Sequence, residues 1–161
     1  MTAVRDVRRR FSWGLLYWSV GSVAVGLPLW LLLMDRPFFG PVWAHFWIWG
    51  AIDLLFAIPG VLQARRADRA PAPDRVPSPA ETPELADAQK LLRTLQFSHK
   101  LNWLWVGTAA ALLLSAAVVA SLPLAGHGTG VLIQGGFLFL FDRRFDAALR
   151  RALTNVRADA Q

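Results

Sequence analysis

Four long apolar stretches alternate with blocks of arginine along this chain, and that alternation constrains its fold more than any other feature. Sixteen of its seventeen Lys and Arg residues fall in three blocks. One block precedes the first apolar stretch, one separates the second from the third, and one ends the fourth. Because cytoplasmic segments of membrane proteins carry an excess of Lys and Arg, the pattern predicts four membrane crossings with both termini in the cytoplasm.

The composition favours a lipid environment over a soluble one. Charged residues make up 17% of the chain, against about 25% in soluble domains. A soluble domain of this size has too much surface for its volume to bury so many apolar side chains. The net charge of +6 does not indicate nucleic-acid binding, because the arginines flank apolar runs instead of lining one face. The absence of cysteine excludes disulfides and thiolate metal sites.

The length of each apolar stretch sets the expected spans. About 20 residues cross the hydrocarbon core of a bilayer at 1.5 Å per residue. We predict membrane-spanning helices at about residues 12–34, 38–62, 101–121 and 129–149. Residues 101–141 carry no formal charge and are about twice too long for one span, so the chain must turn within them. Pro123 and the glycine cluster at 126–130 are the turn signals, and we expect the turn at residues 122–128, between the third and fourth spans. The last turns of the fourth span, which carry Asp142, Arg143, Arg144 and Asp146, are expected to emerge among the headgroups.

Two segments outside the spans complete a single predicted membrane domain over residues 1–161. Residues 1–10 form a basic tail, and the apolar run after it is too long for a signal peptide. Residues 64–100 are predicted to form a cytoplasmic connection. Residues 64–82, with four prolines and many charges, favour an extended, solvated linker. A Thr82 N-cap followed by Pro83 predicts a helix that continues directly into the third span.

A small set of polar residues falls inside the predicted spans. Counted at 1.5 Å per residue from the arginine-rich face, Ser22, Asp53 and Gln134 lie about 15, 13 and 12 Å deep. Asn102 lies nearer that face. Because polar groups in hydrocarbon usually face the bundle interior, we expect these four residues to form an intramembrane polar cluster. Two interpretations remain open: interhelical hydrogen bonding, or a proton- or substrate-responsive site with Asp53 as its ionisable member.

The histidines and serines do not predict catalytic chemistry. His45 and His127 lie near the outer face and could approach each other across the second and fourth spans. Two imidazoles can hold haem or a metal, but no further ligand accompanies them, and interfacial histidines facing the headgroups are the simpler expectation. No serine in the spans has a histidine positioned beside it. The sequence therefore predicts no catalytic residue, no metal site and no cofactor.

The fourth apolar stretch carries a motif. Residues 126–142 read GHGTGVLIQGGFLFLFD, and they resemble a family of small four-span bacterial integral membrane proteins whose function is uncharacterised. The residues that carry the resemblance are Gly126, Gly128, Gln134, Gly135, Phe141 and Asp142. This chain departs from the family at three of its polar positions. The family usually has asparagine where Ser22 and Asp53 stand, and aspartate where Asn102 stands. The resemblance implies the same four-span arrangement and supplies no activity.

Three functional hypotheses follow, all for an all-α four-helix transmembrane bundle in the inner (plasma) membrane. The first is a non-enzymatic protein that acts through helix packing or partner binding, as a homo-oligomer or with another membrane protein. It predicts that the intramembrane polar groups are buried without a continuous cavity. The alternative is a small transporter or channel subunit, with water reaching Asp53 and Gln134. The third is a membrane enzyme or redox subunit that uses His45 and His127.

Overall fold

A computed structural model describes residues 2–69 and 83–158, and these form four helices joined by two short turns and one undescribed connection. The helices are α1 (Thr2–Leu33), α2 (Phe39–Arg69), α3 (Pro83–Val119) and α4 (Leu122–Ala158). Each contains a segment long and apolar enough to cross a membrane. The predicted all-α class with four membrane-length helices is therefore confirmed. The orientation and the choice of membrane stay predictions. The predicted linker is wrong at its start: residues 64–69 continue α2, because Ala and Arg are strong helix formers. Residues 70–82, Thr82 included, lie outside the described residues.

The four helices are arranged as two antiparallel hairpins. Helix α1 packs along α2, and α3 packs along α4. The hairpins meet where α4 lies against α2 and, over a shorter length, against α1. Among the described residues, α2 and α3 make no close backbone contact. Helix α4 is thus the element that holds the two hairpins together.

The turn between α3 and α4 lies earlier than the sequence predicts. The chain reverses at Ala120 and Ser121, and the residues predicted to form the turn, 122–128, are helical. Ala120 has a φ of 52°, and the Ser121 N–H donates to Ala116 O at 3.0 Å, the contact that closes a helix in a Schellman motif. Ser121 Oγ then accepts a hydrogen bond from the Leu124 N–H at 3.4 Å. Ser121 is therefore the N-cap of α4, and the glycines at 126–130 lie within the helix instead of forming the turn.

The glycines expected to form the turn let α4 approach its neighbours. A Cβ atom on Gly126 would clash with the backbone oxygen of Phe38, which ends the first hairpin's turn. A Cβ on Gly130 would lie 2.8 Å from His45 Cβ. A Cβ on Gly128 would lie 2.9 Å from Leu113 Cγ, on the α3 side. Small residues at such contacts bring helix backbones together and increase van der Waals packing.

The helices are longer than the hydrocarbon core of a bilayer is thick. Both α3 and α4 have 37 residues, about 55 Å of helix against a hydrocarbon core of about 30 Å. Because the two short turns close the opposite end, the surplus lies at the end where the arginine blocks are, which we call the arginine-rich end. A separate apolar core fills that end: Leu95, Leu149 and Leu153, with Val4, Val7, Phe11, Leu91, Leu92 and Phe145 packed around them. Residues 2–10 are therefore part of α1 and not a free tail.

Candidate functional site

Each of the six α4 residues that carry the family resemblance contacts another helix, or the turn that leads into one. Phe141 lies against Gly14 of α1, where an added Cβ would be 2.9 Å from its ring. Gly135 lies against Trp105 of α3, where an added Cβ would be 3.1 Å from Trp105 Cβ. Gly126, Gly128, Gln134 and Asp142 make the remaining contacts, with the α1–α2 turn, α3, α2 and α3 respectively. The motif thus marks the contact surface of the helix that joins the hairpins.

Asp53 and Gln134 form a hydrogen-bonded pair between α2 and α4. Gln134 Nε2 donates to Asp53 Oδ2 at 3.0 Å. Both side chains are buried, with 8% of Asp53 and 3% of Gln134 exposed. Gln134 Oε1 is also buried and has no hydrogen-bond partner among the described residues. Depth counting had placed these two residues in one layer, and the structure brings them into direct contact.

Ser22 shares the layer but not the hydrogen bonds. Its side chain is 4% exposed, and its Oγ has no partner in the described part of the chain. It packs instead against Gly50 of α2, where an added Cβ would lie 2.7 Å from Ser22 Cβ. Ser22 is thus a small side chain at the close contact of α1 with α2.

Asn102 belongs to a second polar cluster, nearer the arginine-rich end. Its Nδ2 donates to Asp142 Oδ2 at 2.9 Å, and Ser98 Oγ donates to the same oxygen. The sequence placed Asp142 among the headgroups, and that expectation is wrong, because only 5% of Asp142 is exposed. The four predicted polar residues therefore separate into the pair Asp53–Gln134, the isolated Ser22, and Asn102 with Asp142.

A third set of polar contacts lies toward the turns. Trp49 Nε1 donates to His45 Nδ1 at 3.2 Å, and His45 Nε2 lies 3.1 Å from His127 Nδ1. An indole N–H can only donate, so Nδ1 of His45 must accept and its proton must sit on Nε2. His45 then donates to His127 Nδ1. One tryptophan thereby fixes the tautomers of both histidines.

These tautomers argue against a metal between the two histidines. A histidine that binds a metal through one ring nitrogen normally donates its other N–H to an acceptor. Trp49 imposes the reverse on His45, because the nitrogen that faces His127 carries the proton. The described residues also contain no group of three or more His, Cys, Asp or Glu side chains that could hold a metal ion. The arrangement is a hydrogen-bonded link between α2 and α4.

A small crevice lies beside Gln134, between α2 and α3. It is walled by Trp49 and Trp105, whose ring centroids are 5.0 Å apart, and Gln134, Gly135 and Leu138 lie on its α4 side. It offers about 20 Å³ to water. A single water needs about 10–15 Å³ on this measure, so the crevice has room for one water molecule and not for a file of them.

Two of the polar contacts were missed by sequence reasoning. Ser98 and Asn102 are four residues apart and therefore share one face of α3, a signal that could have paired both with an acid on α4. Trp49 was taken only as part of an apolar span, and its indole donor has no sequence signature. The sequence analysis allowed His45 and His127 to approach each other but favoured histidines that face the headgroups; the structure shows them in contact.

Comparison with known proteins adds a family and no activity. The model of a family described as of unknown function (DUF6992) matches residues 14–143. No curated protein and no solved structure matches the chain.

Proposed function

Because this chain belongs to the family of unknown function DUF6992, we propose a function from its own geometry: a non-enzymatic integral membrane protein that acts through helix packing and binding of membrane components. We place it in the inner (plasma) membrane with both termini in the cytoplasm, since the arginine blocks share one end of the bundle. One observation carries the proposal. Both buried acids, Asp53 and Asp142, accept hydrogen bonds from other helices.

The engagement of these acids favours a structural role over catalysis. Polar groups in the hydrocarbon layer are costly unless they are paired. Here Asp53 links α4 to α2 of the other hairpin, and Asp142 links α4 to α3 of its own hairpin. Ser98 donates directly to Asp142, whereas a nucleophilic serine would donate to a histidine that the acid orients. The His99 ring stacks on Phe139, with ring centroids 4.9 Å apart, and within the described residues it has no hydrogen bond to Ser98 or Asp142. The serine, acid and histidine are close together but in the wrong order for acyl transfer.

The competing function is a small transporter or channel subunit centred on Asp53 and Gln134. The unpaired Gln134 Oε1 beside the crevice is the observation in its favour. Its weakness is size, because a conduit needs a continuous file of water and the crevice admits about one molecule. We therefore rank the transporter second. The accessibility of these positions to water distinguishes the two functions.

Single cysteines test the choice, and the chain has no native cysteine to interfere. We would introduce Ser22→Cys, Gln134→Cys and Leu138→Cys separately and treat sealed vesicles of each orientation with a membrane-impermeant thiol reagent. We expect no labelling at these positions from either side, because the side chains they replace lie in a packed interior or in the water-sized crevice. Labelling at residue 134 or 138 from either side would favour the transporter.

Two control positions report the orientation in the same assay. Arg36→Cys lies in the turn between α1 and α2, and Arg93→Cys lies at the arginine-rich end. We expect reagent outside the cell to reach residue 36 alone, and reagent on the cytoplasmic side to reach residue 93 alone. Labelling of both from one side would overturn the proposed topology.

A further inference from the structure

We propose that a groove between α3 and α4 at the arginine-rich end binds an anionic phospholipid, its phosphate held by Arg93, Lys100 and Arg143. One acyl chain would follow the continuation of that groove toward the membrane centre. The inference rests on the proposed membrane location and adds a partner that the polar contacts within the bundle do not specify.

The groove has the size of a headgroup site. Its volume is about 640 Å³, far larger than the crevice beside Gln134. Ten residues line it: Arg93, Leu95, Gln96, Phe97, His99, Lys100, Asp142, Arg143, Asp146 and Arg150. Its position also fits, because Arg143 lies nine residues beyond Gln134, about 13 Å closer to the arginine-rich end.

The acids in the groove are already engaged, and most of the cations are not. Asp142 accepts from Ser98 and Asn102, and Asp146 Oδ2 lies 2.8 Å from Arg150 Nε. Within the described residues, no hydrogen bond or ion pair involves Arg93, Lys100 or Arg143. The four cations that line the groove outnumber its two acids, so the groove carries an excess of positive charge. Basic pockets between membrane helices bind anionic headgroups.

One acceptor in the groove favours a headgroup that can donate. Asp146 Oδ1 is buried and has no hydrogen-bond partner among the described residues. The phosphodiester of a lipid carries no hydrogen-bond donor of its own, whereas the hydroxyl groups of a phosphoglycerol headgroup can donate to this oxygen. Charge and hydrogen bonding together point to phosphatidylglycerol.

Two glycines extend the groove into the membrane-length part of the bundle. On α3, Gly107 lies seven residues beyond Lys100, and on α4, Gly136 lies seven residues before Arg143, so each shares a helix face with its cation. A Cβ on either glycine would meet nothing within 4 Å. Close helix packing therefore does not require them. An acyl chain that followed this path from the cations would therefore meet no side chain at these two positions, which we call the glycine furrow.

The test uses the purified full chain in a zwitterionic detergent. We would follow its thermal unfolding by tryptophan fluorescence during titration with phosphatidylglycerol, with phosphatidylcholine of the same acyl chains, and with inorganic phosphate. Because a ligand that binds only the folded state stabilises it, phosphatidylglycerol is expected to raise the unfolding midpoint and the other two are not. Equal shifts with both lipids would overturn the proposal, and a full shift with phosphate alone would replace the lipid site by an anion site.

Variants localise the effect to the groove. Each cation near an anionic lipid contributes about fivefold in affinity, so Arg93→Gln, Lys100→Gln and Arg143→Gln combined should weaken binding about a hundredfold. The matched control combines Arg66→Gln, Arg69→Gln and Arg144→Gln, which remove the same charge outside the groove. It should weaken binding by no more than about threefold, because distant charges are screened. Equal losses in the two triple variants would refute a defined site.

Filling the glycine furrow separates the acyl chain from the headgroup. Gly136→Leu places a side chain on that path, and its Cβ would meet nothing within 4 Å. It should weaken phosphatidylglycerol binding about tenfold by displacing roughly two methylene contacts. An unchanged affinity would remove the acyl-chain part of the proposal. Recovery of the chain from the soluble fraction without detergent would instead defeat the proposed membrane function itself, so the two failures are distinguishable.

Discussion

Replacing Asp53 should separate its hydrogen bond from its charge. Asp53→Asn keeps an oxygen that can accept from Gln134 Nε2, which lies 3.0 Å from Asp53 Oδ2. Asp53→Leu removes the acceptor and leaves an amide among buried side chains. The proposed structural role predicts that Asn is tolerated and that Leu is destabilising.

The expected magnitude follows from what the leucine variant leaves unpaired. Leaving a buried polar group without a partner costs about 1–3 kcal/mol in soluble proteins, while hydrogen bonds between membrane helices average about 0.6 kcal/mol and reach about 1.7. Gln134 Oε1 already lacks a partner, so Asp53→Leu leaves both ends of that amide unsatisfied. We expect a loss of about 1.5 kcal/mol for Asp53→Leu and under about 0.5 kcal/mol for Asp53→Asn.

The assay is unfolding of the purified protein by sodium dodecyl sulfate in mixed micelles. Tryptophan emission reports the transition, since the chain has eight tryptophans and Trp49 and Trp105 line the crevice beside Gln134. Gln134→Leu and the double variant Asp53→Leu/Gln134→Leu complete a double-mutant cycle, for which we expect a coupling of about 1 kcal/mol.

Two results would refute this reasoning. If Asp53→Leu is as stable as the unaltered chain, the pair does not hold α2 to α4. If Asp53→Asn is as damaging as Asp53→Leu, the ionised carboxylate itself matters, and the ionisable site becomes the better interpretation.

Two further predictions concern the contacts of α4 with its neighbours. Gly130→Ala should destabilise the fold by about 1–3 kcal/mol, because its Cβ would lie 2.8 Å from His45 Cβ. Gly136→Ala, with open space around its Cβ, should be neutral or stabilising by up to about 1 kcal/mol. Equal effects of the two substitutions in detergent unfolding would contradict the packing assignment. Trp49→Phe removes the donor to His45 Nδ1, so nitrogen NMR should show the single Nε2–H tautomer of His45 in the unaltered protein and a mixture in the variant. A mixture already present before substitution would show that Trp49 does not set it.

The sequence predicted the helices well because length and charge decide them. A run such as residues 12–34 has no charge to interrupt it, and the arginine blocks limit where each helix can leave the membrane. Depth could be counted the same way, which brought Asp53 and Gln134 into one layer. The direction in which a side chain points around its helix axis does not follow from its depth. Ser22 was therefore expected to have polar partners, and the described residues provide none.

The misplaced turn has a specific physical reason. Glycines are weak helix formers, so the run from Gly126 to Gly130 was taken as a break in the helix. The break lies instead at Ala120, whose positive φ is costly for a residue with a Cβ and is not indicated by its identity. Asp142 was misplaced similarly, because its neighbours Arg143 and Arg144 suggested headgroups, while its partners Ser98 and Asn102 lie about 40 residues away in sequence.

The dependence of both hairpins on α4 bears on how the chain is made. The ribosome makes Asp53 81 residues ahead of Gln134, so the first two helices are complete before the amide that donates to Asp53 exists. That early hairpin is an incomplete product until the final helix arrives, and a truncation before residue 134 would leave it so. The contact between α2 and α4 is therefore completed only when the last quarter of the chain has been made.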